Sequence, residues 1–434
     1  MSTVQTLETK SSERAGWVTS LTVLIVVLFS EGLVQRLVAP EIEADGNVIL
    51  RFMWIPVYAG VIALSLSRIK DILDLALRTP ALMALVALAA VSFVWSIEPS
   101  LSFRRGISVS MTTLFGLYLA ARHDWRELLK LLGGVWIFLA LMSFLAGLVA
   151  PGFARMQEIH PGTWRGFWFE KNTLGGHMAR AAIVFAVLVA LDIKRRWFWV
   201  CGLALATGLV ILTTSKTSLL AILMGVSIIT GGLIAQRSPV SAIGMIWLGV
   251  TGTALGGGVL YLYPEAFFEL IGKDPSLTGR TEIWSALGSA IADRPWLGYG
   301  YGAFWAEGSD PADWVRKAVQ WDAPTAHNGW LDVCLSVGLV GVALFSISFA
   351  MTSFRAVTLM FRHRFGLFVF AMVTTLMLFS LSESIFLEPN NLVWATYVAV
   401  AAMLSRGVSP DEGVTRLTAL SRPRWCHRRA ALEI

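Results

Sequence analysis

The residues best suited to chemistry lie at the two ends of a polar segment between apolar runs. At the C-terminal end of this segment lie His327 and Asn328, the first residues of His-Asn-Gly-Trp-Leu-Asp (327–332). The next apolar run starts within this sequence. A histidine at such a mouth can be neutral at physiological pH and accept a proton, which suits a general base. The alternative is structural, with the histidine capping the following helix or anchoring it at an interface.

An arginine stands near the other end of the same segment. Arg280 lies in Leu-Thr-Gly-Arg-Thr-Glu-Ile-Trp (277–284), where the pattern predicts an amphipathic helix over 281–293, ended by Pro295. A cation is unfavourable at the positive end of a helix dipole. A bound anion there would be held by the guanidinium fork and by free backbone N–H groups. The pattern therefore favours a phosphate site, and an ion pair with Glu282 or Asp293 is the structural alternative.

Further cations lie near the ends of other apolar runs. We expect them to surround one face of the molecule, as a dianionic head group would require, although each alone also fits an interfacial residue with its stem along apolar surface. The substrate-binding candidates of this group, with the amides beside them, are Arg104, Arg105, Lys171, Asn172, Lys216 and Asn328. Ionisable residues within or near apolar runs are functional candidates by default, and here they are His177, Arg180 and Glu383.

The sequence predicts neither a metal nor a cofactor. It contains no His-Glu-x-x-His, no paired carboxylate motif and no cluster of histidines, and its three cysteines are widely separated. The stretch Gly-Tyr-Gly-Tyr-Gly at 298–302 has the glycine spacing of a nucleotide loop. The strand–turn–helix context that such a loop needs is missing, so nucleotide binding is rejected.

Composition defines the class of protein that must position these residues. Of the 434 residues, 56% are hydrophobic and 15% are charged, and the mean hydropathy is +0.65. Soluble domains carry about 25% charged residues, so a soluble or disordered chain is excluded. Since a membrane helix needs about 20 residues, the composition predicts an all-α polytopic membrane protein with about a dozen spans.

Hydropathy predicts twelve transmembrane helices. Their approximate positions are 17–35, 48–66, 81–97, 107–121, 131–150, 174–191, 197–213, 217–235, 240–262, 328–352, 365–384 and 390–405. The resulting division is a cytoplasmic tail (1–16), nine helices (17–262), an outer loop (263–327), three helices (328–405) and a basic cytoplasmic tail (406–434).

The charge distribution predicts the orientation. The net charge is +6, and most Lys and Arg residues fall on one side when the N-terminus is placed in the cytoplasm. This positive-inside bias predicts that both termini are cytoplasmic, and it explains the basic balance without a nucleic-acid partner. The outer loop is long enough to be functional, and we expect it to be partly helical.

Three motifs resemble the O-antigen ligase and Wzy-type polysaccharide polymerase superfamily. They are His327–Asn328 with Gly-Leu-Val-Gly at 338–341, Thr-Gly-Arg-Thr-Glu-Ile-Trp at 278–284, and Trp-Leu-Gly-Tyr-Gly at 296–300. Residues 95–105 and 169–172 are similar to the exopolysaccharide-polymerase branch of that superfamily. The resemblance covers about residues 80–410.

The resemblance implies a membrane-embedded, GT-C-like glycosyltransferase of the bacterial inner membrane that inverts configuration without a metal. Its donor would be an oligosaccharide on undecaprenyl pyrophosphate at the periplasmic face, and its other partners a glycan acceptor, the lipid bilayer and chain-length regulator or export proteins. His327 matches the general base and Arg280 the arginine that holds the pyrophosphate. Lys216 falls where many members have arginine, and lysine cannot form a bidentate fork to phosphate.

The resemblance favours a polymerase, and two alternatives to it remain. A polymerase would join lipid-linked repeat units into exopolysaccharide or O-antigen, whereas a ligase would transfer the same glycan to lipid A core. A polysaccharide transporter or flippase is the third. It is less favoured, because transporters tend to have two related halves with broken helices, and no half-repeat is visible in this sequence.

Overall fold

The computed structural model describes residues 2–32, 35–38, 48–158, 160–263 and 280–407, and these are almost entirely helical. We number the α-helices in chain order, and their bounds are α1 Ser2–Phe29, α2 Gln35–Val38, α3 Val48–Leu66, α4 Ile69–Arg78, α5 Pro80–Val91, α6 Pro99–Arg122, α7 Trp125–Val149, α8 Pro151–Ala154, α9 Lys171–Leu191, α10 Arg196–Thr213, α11 Lys216–Ala235, α12 Pro239–Leu262, α13 Arg280–Asp293, α14 Asp310–Val319, α15 Gly329–Met360, α16 Arg364–Ser380 and α17 Leu392–Arg406. Residues 264–279 of the predicted outer loop and the tail from 408 lie outside the described residues.

The all-α polytopic class is confirmed. Every predicted apolar run coincides with a helix. Within the described ranges six helices are long and apolar enough to cross a membrane, or seven if α3 and α4, bent by 91° at their junction, form one span. Four further apolar helices are shorter: 16–29 within α1, 80–94, α16 and α17. The count of twelve spans stays a prediction.

The helices differ in the fraction of their surface that is buried, so central helices can be told from helices at the apolar exterior. In α9, 72% of the most apolar window is buried inside the protein, whereas none of the corresponding window of α12 is buried. The exposed side of α12 carries large apolar residues such as Ile243, Trp247 and Leu248. Such a surface is stable when it faces lipid rather than water.

A sharp break in α15 positions the segment that precedes it. Val337 and Gly338 leave the helical conformation, and Gly338 has φ +68°. The freed backbone groups pair with an incoming loop: Leu339 N donates to Pro295 O over 2.7 Å and Val340 N to Trp296 O over 3.3 Å. A Cβ at Gly338 would collide with the Trp296 carbonyl, so glycine is needed for this close approach.

The same loop also joins the opposite side of the fold. Trp95 Nε1 donates to Leu297 O over 2.9 Å, and Ser102 Oγ to Tyr301 O over 3.0 Å. The glycine-rich stretch 298–302 therefore lies between the α5–α6 junction and the break of α15. Its glycines serve this packing and fix α6, which carries Arg104, relative to α15.

Residues 280–327 fold on a small hydrophobic core that also includes Leu335 of α15. Helices α13 and α14 contribute Ile283, Leu287, Ala312 and Val315, which pack with Phe304. Helix α13 matches the predicted amphipathic helix and begins one residue earlier, at Arg280. Helix α14 was not predicted, because its apolar side is short and is completed only by contacts with other parts of the chain.

Candidate active site

Glu383 lies between Arg280 and His327, and all three are candidates predicted from the sequence. A carboxylate oxygen of Glu383 lies 3.6 Å from Arg280 NH2, and the other lies 3.8 Å from His327 Nδ1. The three side chains are between 17% and 27% exposed, so they interact in a partly desolvated setting. We call Arg280, His327 and Glu383 the Glu383 cluster. Arg280 thus pairs with Glu383 rather than with Glu282 or Asp293, the partners considered from the sequence.

The imidazole of His327 is held in a defined orientation. It stacks on Trp321, with ring centroids 5.5 Å apart and planes inclined by 12°. Its backbone has φ +46°, a conformation costly for a residue with a side chain and typical of functional sites. Its Nε2 is buried and has no hydrogen-bond partner among the described residues. One nitrogen thus faces a carboxylate while the other has no hydrogen-bond partner among the described residues, and such an imidazole has the chemistry to accept a proton.

Asn328 has a structural task next to this histidine. Its Oδ1 accepts hydrogen bonds from Trp330 N (3.0 Å) and Leu331 N (3.3 Å). These bonds satisfy backbone donors at the start of α15, as an N-cap residue does. The capping role considered for the histidine therefore belongs to Asn328, and its position as N-cap also sets where His327 stands.

The secondary candidates divide between the cluster and the core. Arg180 lies 4.7 Å above the ring of Phe379 and interacts electrostatically with Glu383. His177 is buried one turn earlier on α9 and stacks on Trp168, with centroids 5.1 Å apart. Arg180 thus extends the Glu383 cluster into α9, whereas His177 is covered by an indole.

Two lysines form a second positive group at the starts of α9 and α11. Lys171 Nζ donates to Thr214 Oγ1 over 3.1 Å, and it lies near enough to Lys216 for the two charges to interact. Asn172, half-buried, follows at the second position of α9. Two helix N-termini and two ammonium groups together favour a bound anion.

A cavity lies apart from the two lysines. It has a volume of about 600 Å³, and Arg104 and Arg105 line it, whereas Lys171, Lys216 and Arg280 do not. Thr325 and Ser384, close in the chain to His327 and Glu383, form part of its wall. The cations expected to surround one head group are therefore divided between this cavity, the lysine pair and the Glu383 cluster.

Sequence reasoning missed several residues of the cavity. Three carboxylates line it, those of Glu31, Asp332 and Glu388. Asp332 Oδ1 accepts hydrogen bonds from Trp305 Nε1 over 2.8 Å and from the backbone of Ala326 over 3.3 Å, and its other oxygen accepts one from Ser384. Asp332 was visible within the histidine motif, but Glu31 and Glu388 are single acids after apolar stretches and carry no periodic signal.

Unusual backbone conformations collect around these groups. Glu31, Leu387 and Asn390 line the cavity with φ of 62°, 56° and 59°, and Thr214 beside Lys171 has φ 57°. Left-handed conformations at residues other than glycine cost free energy and persist where tertiary contacts impose them. Together with His327, they place most of the backbone strain of the described residues at the candidate site.

Burial changes the protonation of two cavity groups outside the helices. Burial raises the pKa of the Glu31 carboxyl to about 7, and a hydrogen bond with Asn391 partly offsets this. Burial also raises the pKa of Tyr301 well above its usual value, with Glu388 adding to the effect. The Tyr301 hydroxyl donates to Leu387 O. Near neutral pH the cavity thus holds a phenol and a carboxyl that is partly protonated.

The fold and the geometry define a multi-pass membrane protein with a histidine-centred polar site, and part of its sequence is similar to known proteins. Residues 201–346 match the family described as O-antigen ligase. This range contains Lys216, Arg280 and His327. The family resemblance drawn from the motifs is confirmed.

A characterised relative is the exopolysaccharide production protein ExoQ of Rhizobium meliloti (strain 1021). The two sequences are 27% identical over 283 residues, which is 61% of this chain and 62% of the relative. The match therefore spans less than two thirds of the relative's length. Together the two comparisons support a function of the polysaccharide polymerase or ligase type.

Proposed function

We propose that this protein polymerises undecaprenyl-pyrophosphate-linked oligosaccharide repeat units at the periplasmic face of the bacterial inner membrane. The observation that carries the proposal is the Glu383 cluster, in which a carboxylate faces one nitrogen of His327 and leaves the other unpaired. The similarity to an exopolysaccharide production protein favours a polymerase over other glycosyltransferases.

The reaction is an inverting displacement at the anomeric carbon of the donor. His327 Nε2 takes the proton of the acceptor hydroxyl as that oxygen forms the new glycosidic bond. The bond to the pyrophosphate breaks on the opposite face, and its electron pair leaves with the lipid pyrophosphate. The Glu383 carboxylate stabilises the imidazolium that forms, because opposite charges a few ångströms apart attract strongly in a partly desolvated site.

Fixed cations stabilise the leaving group in this proposal. Lys171 and Lys216, at adjacent helix N-termini, and Arg280 of the Glu383 cluster are the groups assigned to the pyrophosphate. Preorganised charges aimed at developing negative charge lower the barrier without reorganisation. Lys216 provides a point charge and cannot form the bidentate fork of an arginine, so part of the positioning falls to Arg280.

The second candidate is a ligase that transfers the glycan to lipid A core. It is supported by the family description matched over residues 201–346, and it uses the same site chemistry with a different acceptor. Deletion of the gene separates the two functions. Single repeat units that accumulate on the lipid carrier support the polymerase, whereas full-length chains retained on the carrier indicate the ligase.

The direct test uses purified protein in nanodiscs with lipid-linked repeat units, without nucleotide and with a chelator. We expect a ladder of longer glycans from the wild type and only slow, residual elongation from His327→Ala. The matched control is His160→Ala, since His160 is an exposed loop histidine and should be dispensable. Wild-type elongation by His327→Ala would refute the base assignment, and no elongation by the wild type would refute the proposed reaction.

A further inference from the structure

We propose that the 600 Å³ cavity binds the terminal sugars of the acceptor glycan, through carboxylate hydrogen bonds and aromatic surfaces. The pyrophosphate would then be held elsewhere, by the lysine pair and Arg280. The inference rests on the proposed function for the identity of its ligand as an acceptor. It reassigns Arg104 and Arg105, which the sequence had grouped with the pyrophosphate cations, to the sugar site.

The cavity lies near two parts of the Glu383 cluster. The wall of the cavity includes Thr325 and Ser384, and the Thr325 hydroxyl accepts a hydrogen bond from the His327 backbone over 3.3 Å. Ser384 follows Glu383 directly. A ligand in the cavity therefore lies close to the two segments that carry His327 and Glu383. The volume falls in the range of about 300–1,000 Å³ typical of small-molecule sites, which suits a short glycan end.

The charged residues that line the cavity favour a neutral ligand. Among the described residues, three carboxylates and two guanidinium groups line the cavity, and Glu31 is only partly ionised near neutral pH. The side chain of Arg105 also donates to the Gly302 carbonyl over 3.0 Å. A nearly balanced lining of this kind opposes a multiply charged anion, because each carboxylate repels it. It suits a neutral ligand with many hydroxyl groups, for which carboxylates are strong hydrogen-bond acceptors.

Aromatic side chains form part of the cavity wall. Trp54 and Tyr58 are stacked, with centroids 6.1 Å apart and planes inclined by 21°, and both face the cavity with Trp305. The Tyr58 hydroxyl lies 2.8 Å from Ser108 Oγ and 2.8 Å from Asn390 Oδ1. Trp305 is held by its bond to Asp332. These rings are preorganised planar surfaces with polar groups at their edges, a combination that suits the apolar faces and hydroxyl edges of a sugar.

Binding can be measured without turnover. The probe is a delipidated fragment of the producing strain's own polysaccharide that ends in the natural non-reducing sugar, added to full-length protein in nanodiscs. Saturation-transfer NMR reports on the sugar, and a change in tryptophan fluorescence includes the signals of Trp54 and Trp305 among those of the 18 tryptophans. We expect Glu388→Gln to weaken binding about tenfold to a hundredfold, the loss expected for a hydrogen bond to a charged acceptor. Glu31→Gln should weaken it by less, because Glu31 is only partly ionised near neutral pH.

Glu282→Gln is the matched control, because Glu282 is an exposed carboxylate on α13 and should leave binding unchanged. In the elongation assay, the cavity variants should raise the KM for the acceptor and leave kcat nearly unchanged. Inorganic pyrophosphate should not displace the fragment. Equal affinity of the cavity variants and wild type, or displacement by pyrophosphate, would overturn the assignment.

The outcomes also separate this inference from the proposed function. Fragment binding that depends on Glu31 and Glu388 in a protein that forms no glycosidic bond would refute the polymerase and keep the sugar site. Elongation by wild type, with binding insensitive to both substitutions, would refute the sugar site alone. Thermal unfolding of each variant checks that a lost signal does not come from a lost fold.

Discussion

Replacing Glu383 by glutamine tests how the site activates its base. The substitution keeps the shape of the side chain and removes its charge, which lies 3.8 Å from His327 Nδ1 and 3.6 Å from Arg280 NH2. In the proposed reaction His327 becomes positively charged as it takes the proton. The Glu383 carboxylate therefore stabilises the transition state more than the ground state, and its loss should appear in kcat.

The magnitude follows from the distance. Two unit charges 3.8 Å apart interact by about 4 kcal/mol at an effective dielectric constant of about 20. The side chains of His327 and Glu383 are 17% and 27% exposed, so solvent screening leaves about 2 kcal/mol, halving the estimate for partial exposure. Because about 1.4 kcal/mol corresponds to a factor of ten in rate, Glu383→Gln should lower kcat about 30-fold.

The assay is the rate of glycan elongation in nanodiscs at saturating donor and acceptor, with Glu282→Gln as the charge-matched control. A double-mutant cycle with His327→Ala isolates the interaction. If Glu383 acts through the histidine, Glu383→Gln should cost little in the His327→Ala background. An equal loss in both backgrounds, or an unchanged kcat in the single variant, would refute the reasoning.

Four further predictions concern stability and donor binding. Gly338→Ala should lower the free energy of unfolding by about 1–3 kcal/mol, because the new Cβ meets the Trp296 carbonyl in a left-handed backbone; an unchanged Tm would contradict this packing. Asn328→Ala should cost about 1 kcal/mol of stability, measured by thermal unfolding, and Asn328→Ser should restore it; full stability with lost activity in the serine variant would instead assign the amide to substrate. The Glu31 carboxyl, whose pKa is raised from 4.5 to about 7, should contribute stability that is fully present below pH 4.5 and lost as the pH rises through 7, about 3 kcal/mol in total; Tm measured between pH 5 and 8 should fall less in Glu31→Gln than in the wild type. Lys216→Arg should lower the KM for the lipid-linked donor through bidentate contacts, and a raised KM would place Lys216 away from the phosphates.

Local features of the sequence predicted much of the framework. Apolar runs predicted each long helix, since hydropathy and helix length depend only on neighbouring residues. The amphipathic pattern over 281–293 predicted α13, and Pro295 predicted where that helix ends. His327 and Arg280 were recognisable because their residue types and positions at the ends of apolar or amphipathic segments limit the chemistry available to them.

Contacts between distant segments could not be foreseen in this way. Glu383 joins Arg280 and His327 across different parts of the chain, and no spacing rule connects them. Glu31, after α1, meets Glu388 in one cavity only because the helices pack as they do. The division of the cations into separate groups also depends on helix packing.

The glycine-rich stretch 298–302 illustrates the difference between what the sequence determines and what only the tertiary structure determines. The sequence alone determined the membrane class, the helix positions and a histidine fit to act as a base, because each follows from properties of adjacent residues. Only the tertiary structure showed that these glycines dock against the broken helix at Gly338, and that the Glu383 carboxylate faces His327. Side-chain partnership across the chain is decided by the packing of whole helices, which no local pattern encodes.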